Sequence, residues 1–169
     1  MRLLLFLTSV SLLMAQPRTP PIENEYVRVV LATDKPVDKP GALHEHKQNR
    51  VMIYLDSGDI QIKYADGKVD NQHWKAGDIA FSPASGMHTS QNVSSKPVRI
   101  VEIELRNQGS GEHGKGPKAV LDNQQVRVYR ATTPPPAGKN FVAVNDKTAD
   151  VAWDKLPEGT GSFVIVELK

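Results

Sequence analysis

The sequence predicts an all-β sandwich or barrel. After residue 21 the chain divides into short runs rich in Val, Ile, Tyr and Trp, separated by turn residues at close intervals. No amphipathic stretch of helical period and useful length interrupts them. Between two of these runs stands Asp66-Gly67, a dipeptide that tolerates positive φ and therefore closes hairpins.

The chain opens with Arg2, an apolar run from Leu3 to Leu13, and Met14-Ala15-Gln16, the layout of a secretory leader. A membrane span needs about 20 apolar residues and this run is shorter. Residues 1–15 therefore read as a signal peptide cleaved after Ala15, implying an exported, periplasmic or secreted protein with no stable membrane span after processing. A Pro-rich lead, residues 16–21, follows. The expected strands are Tyr26–Ala32, Leu43–Leu55, Ile60–Tyr64, Val69–Trp74, Asp78–Ser82 and Val98–Leu105, so residues 16–106 read as one barrel. Residues 107–117, NQGSGEHGKGP, have the composition of a flexible linker. They do not form a phosphate loop, because Gly116 stands where Ser or Thr would follow Lys115.

Residues 118–169 partly repeat the first half. Asn24-Glu25-Tyr26-Val27-Arg28-Val29 recurs as Asn123-Gln124-Gln125-Val126-Arg127-Val128, 99 positions on (126 − 27). Ile100-Val101-Glu102-Ile103 recurs as Ile165-Val166-Glu167-Leu168, 65 positions on (165 − 100). The second copy is then 34 residues shorter (99 − 65) and has lost its middle strands. Phe141–Val144, Val151–Trp153 and Phe163–Leu168 are apolar enough to add strands, cover an edge or make a dimer contact.

Composition narrows the chemistry. With 39% hydrophobic and 24% charged residues the chain can bury one core or two small ones and is not disordered. A net charge of +2 with the signs interspersed is not the footprint of a nucleic-acid binder. Having no cysteine, the chain can form no disulfide, thiolate metal site or cysteine nucleophile. His, carboxylates, hydroxyls or a bound ion remain.

His44 and His46 lie two apart, so in a strand both imidazoles take the same face, continued by Gln48, Arg50, Met52 and Tyr54 if no bulge intervenes. His88 follows a strand-like run ending in Pro83. Three imidazoles converging from neighbouring strands suit a divalent transition metal; unconnected, they are ordinary strand and loop histidines. His73, beside Trp74, reads as exterior, and His113 falls in the linker.

The residues around these histidines resemble the two motifs of the cupin family. The first reads Gly, variable residues, His-x-His, three or four variable residues, Glu and a later Gly. Its counterpart here is Gly41-Ala42-Leu43-His44-Glu45-His46-Lys47-Gln48-Asn49-Arg50, closed by Gly58. The second motif is matched by Gly77-Asp78-Ile79-Ala80-Phe81-Ser82-Pro83-Ala84-Ser85-Gly86-Met87-His88-Thr89-Ser90-Gln91-Asn92. The resemblance covers roughly residues 22–106. It implies a double-stranded β-helix, or jelly-roll barrel, with extra C-terminal strands, and metal ligands at His44, His46 and His88. The implied metal is divalent: Fe, Zn, Ni, Mn or Cu.

The sequence departs from the pattern in three places. Gly41 stands close to His44, Gly86 is displaced by one, and Arg50 or Val51 occupies the place of the ligand Glu. A guanidinium cannot coordinate a cation and repels it. Gln48 is a candidate weak fourth ligand, and Glu102 or Glu104 can reach in from the last barrel strand. Arg50 either captures a substrate carboxylate beside the metal, or ends in water or pairs with Asp56. Tyr54 and Met52 line the barrel as candidate substrate contacts.

Two functions follow from the resemblance. One is a metalloprotein similar to three-histidine dioxygenases, acting on a small anionic substrate. The other is a non-catalytic small-molecule-binding cupin with a degenerate metal site. Exposed β-edges also allow a homodimer. Asn92-Val93-Ser94 matches a glycosylation acceptor but lies inside the second motif.

Overall fold

The computed structural model describes residues 20–109, 116–136 and 139–169. The expected leader over residues 1–15, most of the Pro-rich lead and the middle of the linker, with His113, lie outside the described residues. Those described hold fourteen strands and no helix; accordingly, no helix among them is long and apolar enough to cross a membrane.

The strands are β1 (Ile22–Glu23), β2 (Val27–Asp34), β3 (His44–His46), β4 (Arg50–Tyr54), β5 (Gly58–Tyr64), β6 (Val69–Trp74) and β7 (Ile79–Ser82). They continue as β8 (Ser85–Asn92), β9 (Val98–Leu105), β10 (Leu121–Asp122), β11 (Val126–Ala131), β12 (Phe141–Val144), β13 (Val151–Trp153) and β14 (Phe163–Leu168). The first nine build a jelly-roll barrel from two antiparallel sheets, β1-β2-β9-β4-β7 and β3-β8-β5-β6. The last five form a third sheet, β10-β11-β14-β12-β13.

Burial along each strand reports its layer. Every residue of β4 and of β14 is buried, because both faces of those strands meet protein, and both read as nearly continuous apolar runs. In β6 exposure alternates from Val69 to His73, since the second barrel sheet has a solvent face. The Asp66-Gly67 hairpin forms between β5 and β6, with Gly67 at φ 89° and Lys68 N–H donating to Asp66 Oδ1 at 2.9 Å.

The expected single strand Leu43–Leu55 is instead two strands in different sheets, with a bend at residues 47–49. Asn49 holds this corner. Its backbone carbonyl accepts from Leu105 N–H at 2.8 Å, and its side chain accepts from Ala84 N–H at 2.8 Å and donates to Gln125 Oε1. Ala84 follows Pro83, where the chain also changes sheet, between β7 and β8. Strand β8 escapes hydrophobic periodicity because Met87 is its only large apolar residue; pairing with β3 and β5 makes it a strand.

The third sheet is a copy of the first barrel sheet. Asn24 Oδ1 accepts from the N–H groups of Tyr26 and Val27, and Asn123 Oδ1 accepts from those of Gln125 and Val126. Arg106 N–H donates to Tyr26 O just as Lys169 N–H donates to Gln125 O, and Leu105 N–H to Asn49 O as Leu168 N–H to Asn140 O. These bonds equate Leu105 with Leu168, 63 positions on (168 − 105), which corrects the expected spacing of 65 at the C-terminal end. A slip of two residues leaves the in–out alternation of a strand intact, so the identity match Ile-Val-Glu could settle one pleat away from the true register. The second copy is thus shorter by 36 residues (99 − 63), and its sheet lacks counterparts of β3, β5, β6 and β8.

The copy covers a face of the barrel. Val27, Val29, Val51, Ile53, Val101, Ile103 and Leu105 from the barrel share one core with Val126, Val128, Val142, Val144, Val164, Val166 and Leu168. Strand β1 abuts β13 and β10 abuts β7, contacts that exchange when the two sheets are interchanged. The halves therefore pack about a pseudo-two-fold axis, with Tyr26 stacked on Trp153 at 5.7 Å. On its far side the third sheet carries an apolar cluster of Tyr129, Phe141, Ala143, Phe163 and Ile165, where the barrel carries its cavity.

Candidate metal centre

Strand β3 brings His44 and His46 to one face, and β8 sets His88 directly opposite His44. A register shift between His44 and His46, where the latter pairs with Ser85, turns all three rings toward each other. Ring centroids are 4.5 Å apart for His44 and His88, 5.0 Å for His44 and His46, and 5.3 Å for His46 and His88. One nitrogen from each ring lies within 4.8 Å of the others.

Backbone carbonyls orient two of the rings. His44 Nδ1–H donates to Ala42 O at 2.8 Å and His88 Nδ1–H to Gly86 O at 2.7 Å. A carbonyl only accepts, so in both rings Nδ1 carries a proton and Nε2 is the nitrogen left to bind a metal. His46 is held neutral, its pKa lowered to about 4 by burial and then by the charge of Arg50 and the neighbouring His44 and His88. Metal ligation requires neutral imidazole, so this donor set fits a divalent transition ion.

The histidines open into a cavity of about 1000 Å³. Arg50, Met52 and Tyr54 line it from β4 and Glu102 from β9. Further along the barrel the wall is apolar: Met52, Tyr54, Ile60, Trp74 and Ile100, with Tyr54 stacked on Trp74 at 4.5 Å. Burial, reinforced by Glu102, pushes the Tyr54 phenol up, so it stays protonated as a donor. Gly77, at φ 88°, makes the turn into β7, its N–H donating to Tyr54 O at 2.7 Å. Gly86 has an ordinary φ and open space around it, so the motif's displaced glycine imposes no constraint here.

Several expected residues stand elsewhere. Gln48 is exposed in the bend after β3 and is not in the cavity wall, because the strand it was expected to continue ends at His46. Arg50 does not pair with Asp56, which Arg99 holds with Nε at 2.8 Å and Nη2 at 2.9 Å. The guanidinium of Arg50 instead donates to Glu102 Oε2 at 2.8 Å, His46 Nε2 at 2.9 Å and Ser82 Oγ at 3.0 Å. Glu104 pairs with Arg28. His73, exposed, bonds Asp59.

Asp34 and Tyr64 also line the cavity, and neither stands out in the sequence. Asp34 closes a strand as an unremarkable acidic residue; only the barrel places it beside His44. Burial raises its carboxyl pKa while His44 opposes the rise. Burial likewise raises Glu102, with Arg50 opposing.

No protein-family model matches the sequence, and no curated protein matches it. Among solved structures the chain is similar to a cupin domain from Bordetella pertussis Tohama I, with 24% identity, a TM-score of 0.47, and coverage of 53% of this chain and 91% of that one. A cupin superfamily protein from Desulfitobacterium hafniense DCB-2 is 15% identical over 53% of this chain and 75% of its own, with a TM-score of 0.40. A cupin-2 domain containing protein from Shewanella frigidimarina NCIMB 400 is 24% identical over 56% of this chain and 86% of its own, with a TM-score of 0.38. Its own strand order, two antiparallel sheets around a cavity, is the jelly-roll barrel that the motif resemblance implies. Within that fold it has a three-histidine cluster able to hold a metal ion.

Proposed function

We propose that the chain is an exported metalloprotein in which His44, His46 and His88 hold one divalent transition metal and the cavity takes a small anionic substrate. The observation that carries the reading is the pair of Nδ1–H bonds that leaves Nε2 of His44 and His88 as the nitrogens available to a metal inside a three-imidazole cluster. The reaction class we assign is oxidation, of the dioxygenase-like kind. The bound ion would supply Lewis acidity and, if redox-active, the route to dioxygen. Three neutral ligands leave its charge uncompensated, which favours an anion.

The chain's own residues do the rest. Met52, Tyr54, Trp74 and Ile100 give the cavity an apolar wall, and Tyr54 O–H and Ser82 Oγ are neutral polar groups on β4 and β7. The charge of Arg50 is balanced by Glu102, so the pull on an anion comes from the metal.

The test is the metal content of the chain from Gln16 onward, by elemental mass spectrometry, beside His88→Ala. The reading expects about one transition metal per chain in the first and none in the second. Two metal-free proteins, with no thermal stabilisation on adding metal, would instead support a non-catalytic small-molecule-binding protein. The bond from Arg50 to His46 is the observation favouring that second reading.

A further inference from the structure

One atom in the cavity links a ligand histidine to a carboxylate. Arg50 Nη1 donates to His46 Nε2 at 2.9 Å and to Glu102 Oε2 at 2.8 Å, so these two acceptors lie no more than 5.7 Å apart (2.8 + 2.9). Nη2 is held by Ser82 Oγ, while Arg50 Nε is buried with no partner among the described residues. The Arg50 side chain is only 8% exposed and that of Glu102 17%, so this is an interior pair rather than a surface one.

An imidazole nitrogen has a single lone pair. While His46 Nε2 accepts from the guanidinium, that nitrogen cannot also bind a metal, whereas His44 and His88 make their carbonyl bonds through Nδ1. The guanidinium nitrogen thus draws together a neutral imidazole and a carboxylate oxygen, the donors that would otherwise converge on a cation. We infer that Arg50 is a built-in antagonist of the metal site: its guanidinium, anchored by Glu102 and Ser82, competes with a divalent ion for His46.

This inference rests on the three-histidine metal reading, and it makes a prediction of unusual sign. Removing a buried charged side chain from the cavity should tighten metal binding. Arg50→Met keeps much of the buried stem and deletes the donor. Zn²⁺ titration of the full chain by calorimetry is expected to give a dissociation constant at least ~10-fold lower for Arg50→Met than for the unmodified protein, the scale of one hydrogen bond made by a charged group. His88→Ala should abolish binding in both backgrounds.

Because Arg50→Met leaves Glu102 buried without its partner and can fail to fold, the same comparison is made between Glu102→Gln and Arg50→Met/Glu102→Gln, where no carboxylate is stranded. Tighter Zn²⁺ binding on loss of the guanidinium supports the antagonist, most directly if the unmodified chain shows none. Equal or weaker binding, with the unmodified chain still taking up Zn²⁺, overturns the antagonist and leaves the metal site standing. No binding by any of these proteins overturns both.

Discussion

His44 and His88 face each other across β3 and β8 with ring centroids 4.5 Å apart, and each donates Nδ1–H to the carbonyl two residues before it, Ala42 and Gly86. Two unrelated stretches of chain thus use the same local bond to present the same nitrogen. Backbone, not another titrating side chain, holds Nδ1 of both rings, which orients Nε2 for a cation.

The geometry separates the site histidines from the others. His44→Ala is expected to remove stoichiometric metal just as His88→Ala does, whereas His73→Ala, which only breaks an exposed bond to Asp59, leaves it unchanged. Metal-to-protein ratios of the variants after equal exposure to Zn²⁺ check this. Loss of metal in His73→Ala would contradict it.

The shared core predicts that the halves unfold together. Val128 is fully buried between the third sheet and the barrel, so Val128→Ala removes contacts from both, costing about 2 kcal/mol. In a Trp153→Phe background the remaining Trp74 reports from inside the barrel. Its urea midpoint should fall with Val128→Ala. A midpoint that stays put would mean that the barrel is stable independently of the sheet that covers it.

Acid stability carries a signature of the Asp56–Arg99 pair. The side-chain bonds from Arg99 are the main cause holding the Asp56 carboxyl below its ordinary 3.8, with burial working against them. A carboxyl depressed in the folded state adds stability above its unfolded value and loses it as pH falls through the folded value, so the loss begins near pH 4 and continues downward. Both side chains are partly solvated, which limits the gain to roughly 0.2–1 kcal/mol. Asp56→Asn should flatten that part of the stability–pH curve, measured by urea midpoints from pH 6 to pH 2, and leave the slope above pH 5 unaltered.

Asn92 is expected to act as a structural clamp and to carry no glycan. Its Nδ2 donates to Asp34 O at 2.8 Å and Lys96 O at 3.1 Å, its Oδ1 accepts from Ser94 N–H, and the residue is 4% exposed. Asn92→Ala should destabilise by ~1–3 kcal/mol, since the Asp34 and Lys96 carbonyls lose their donor and Ser94 N–H loses its acceptor. Intact mass after secretion from a glycosylating host should show no sugar at this position.

The apolar runs of the sequence announce themselves because a strand in a sandwich must be apolar on every face that meets protein. Strands β9 and β14 are legible for that reason, and so is the copy of one sheet in the other, through the repeated Asn-x-x-Val-Arg-Val. The bend at Lys47-Gln48-Asn49 is not legible: it is held by bonds that Asn49 accepts from Leu105 and Ala84 and donates to Gln125, residues far away in the chain. Strand alternation therefore puts Gln48 on the face of the histidines, whereas the bend sets it outside them. The polar strand β8 is hidden for the complementary reason, having almost no apolar side chains to show a period.

By itself, then, the sequence determined an all-β chain with a duplicated sheet, the spacing of His44 and His46, and the motif around His88, because these depend on local alternation and on residue type. Tertiary structure decided which groups meet. It turned the second copy into a cover for the barrel's apolar face, set the C-terminal register two residues from the best identity match, and brought Asp34 and Glu102 into the cavity. It also laid the guanidinium of Arg50 on His46. Each of these outcomes depends on pairings between strands distant in sequence, whose energies come from packing and hydrogen bonds that no single stretch of the chain contains.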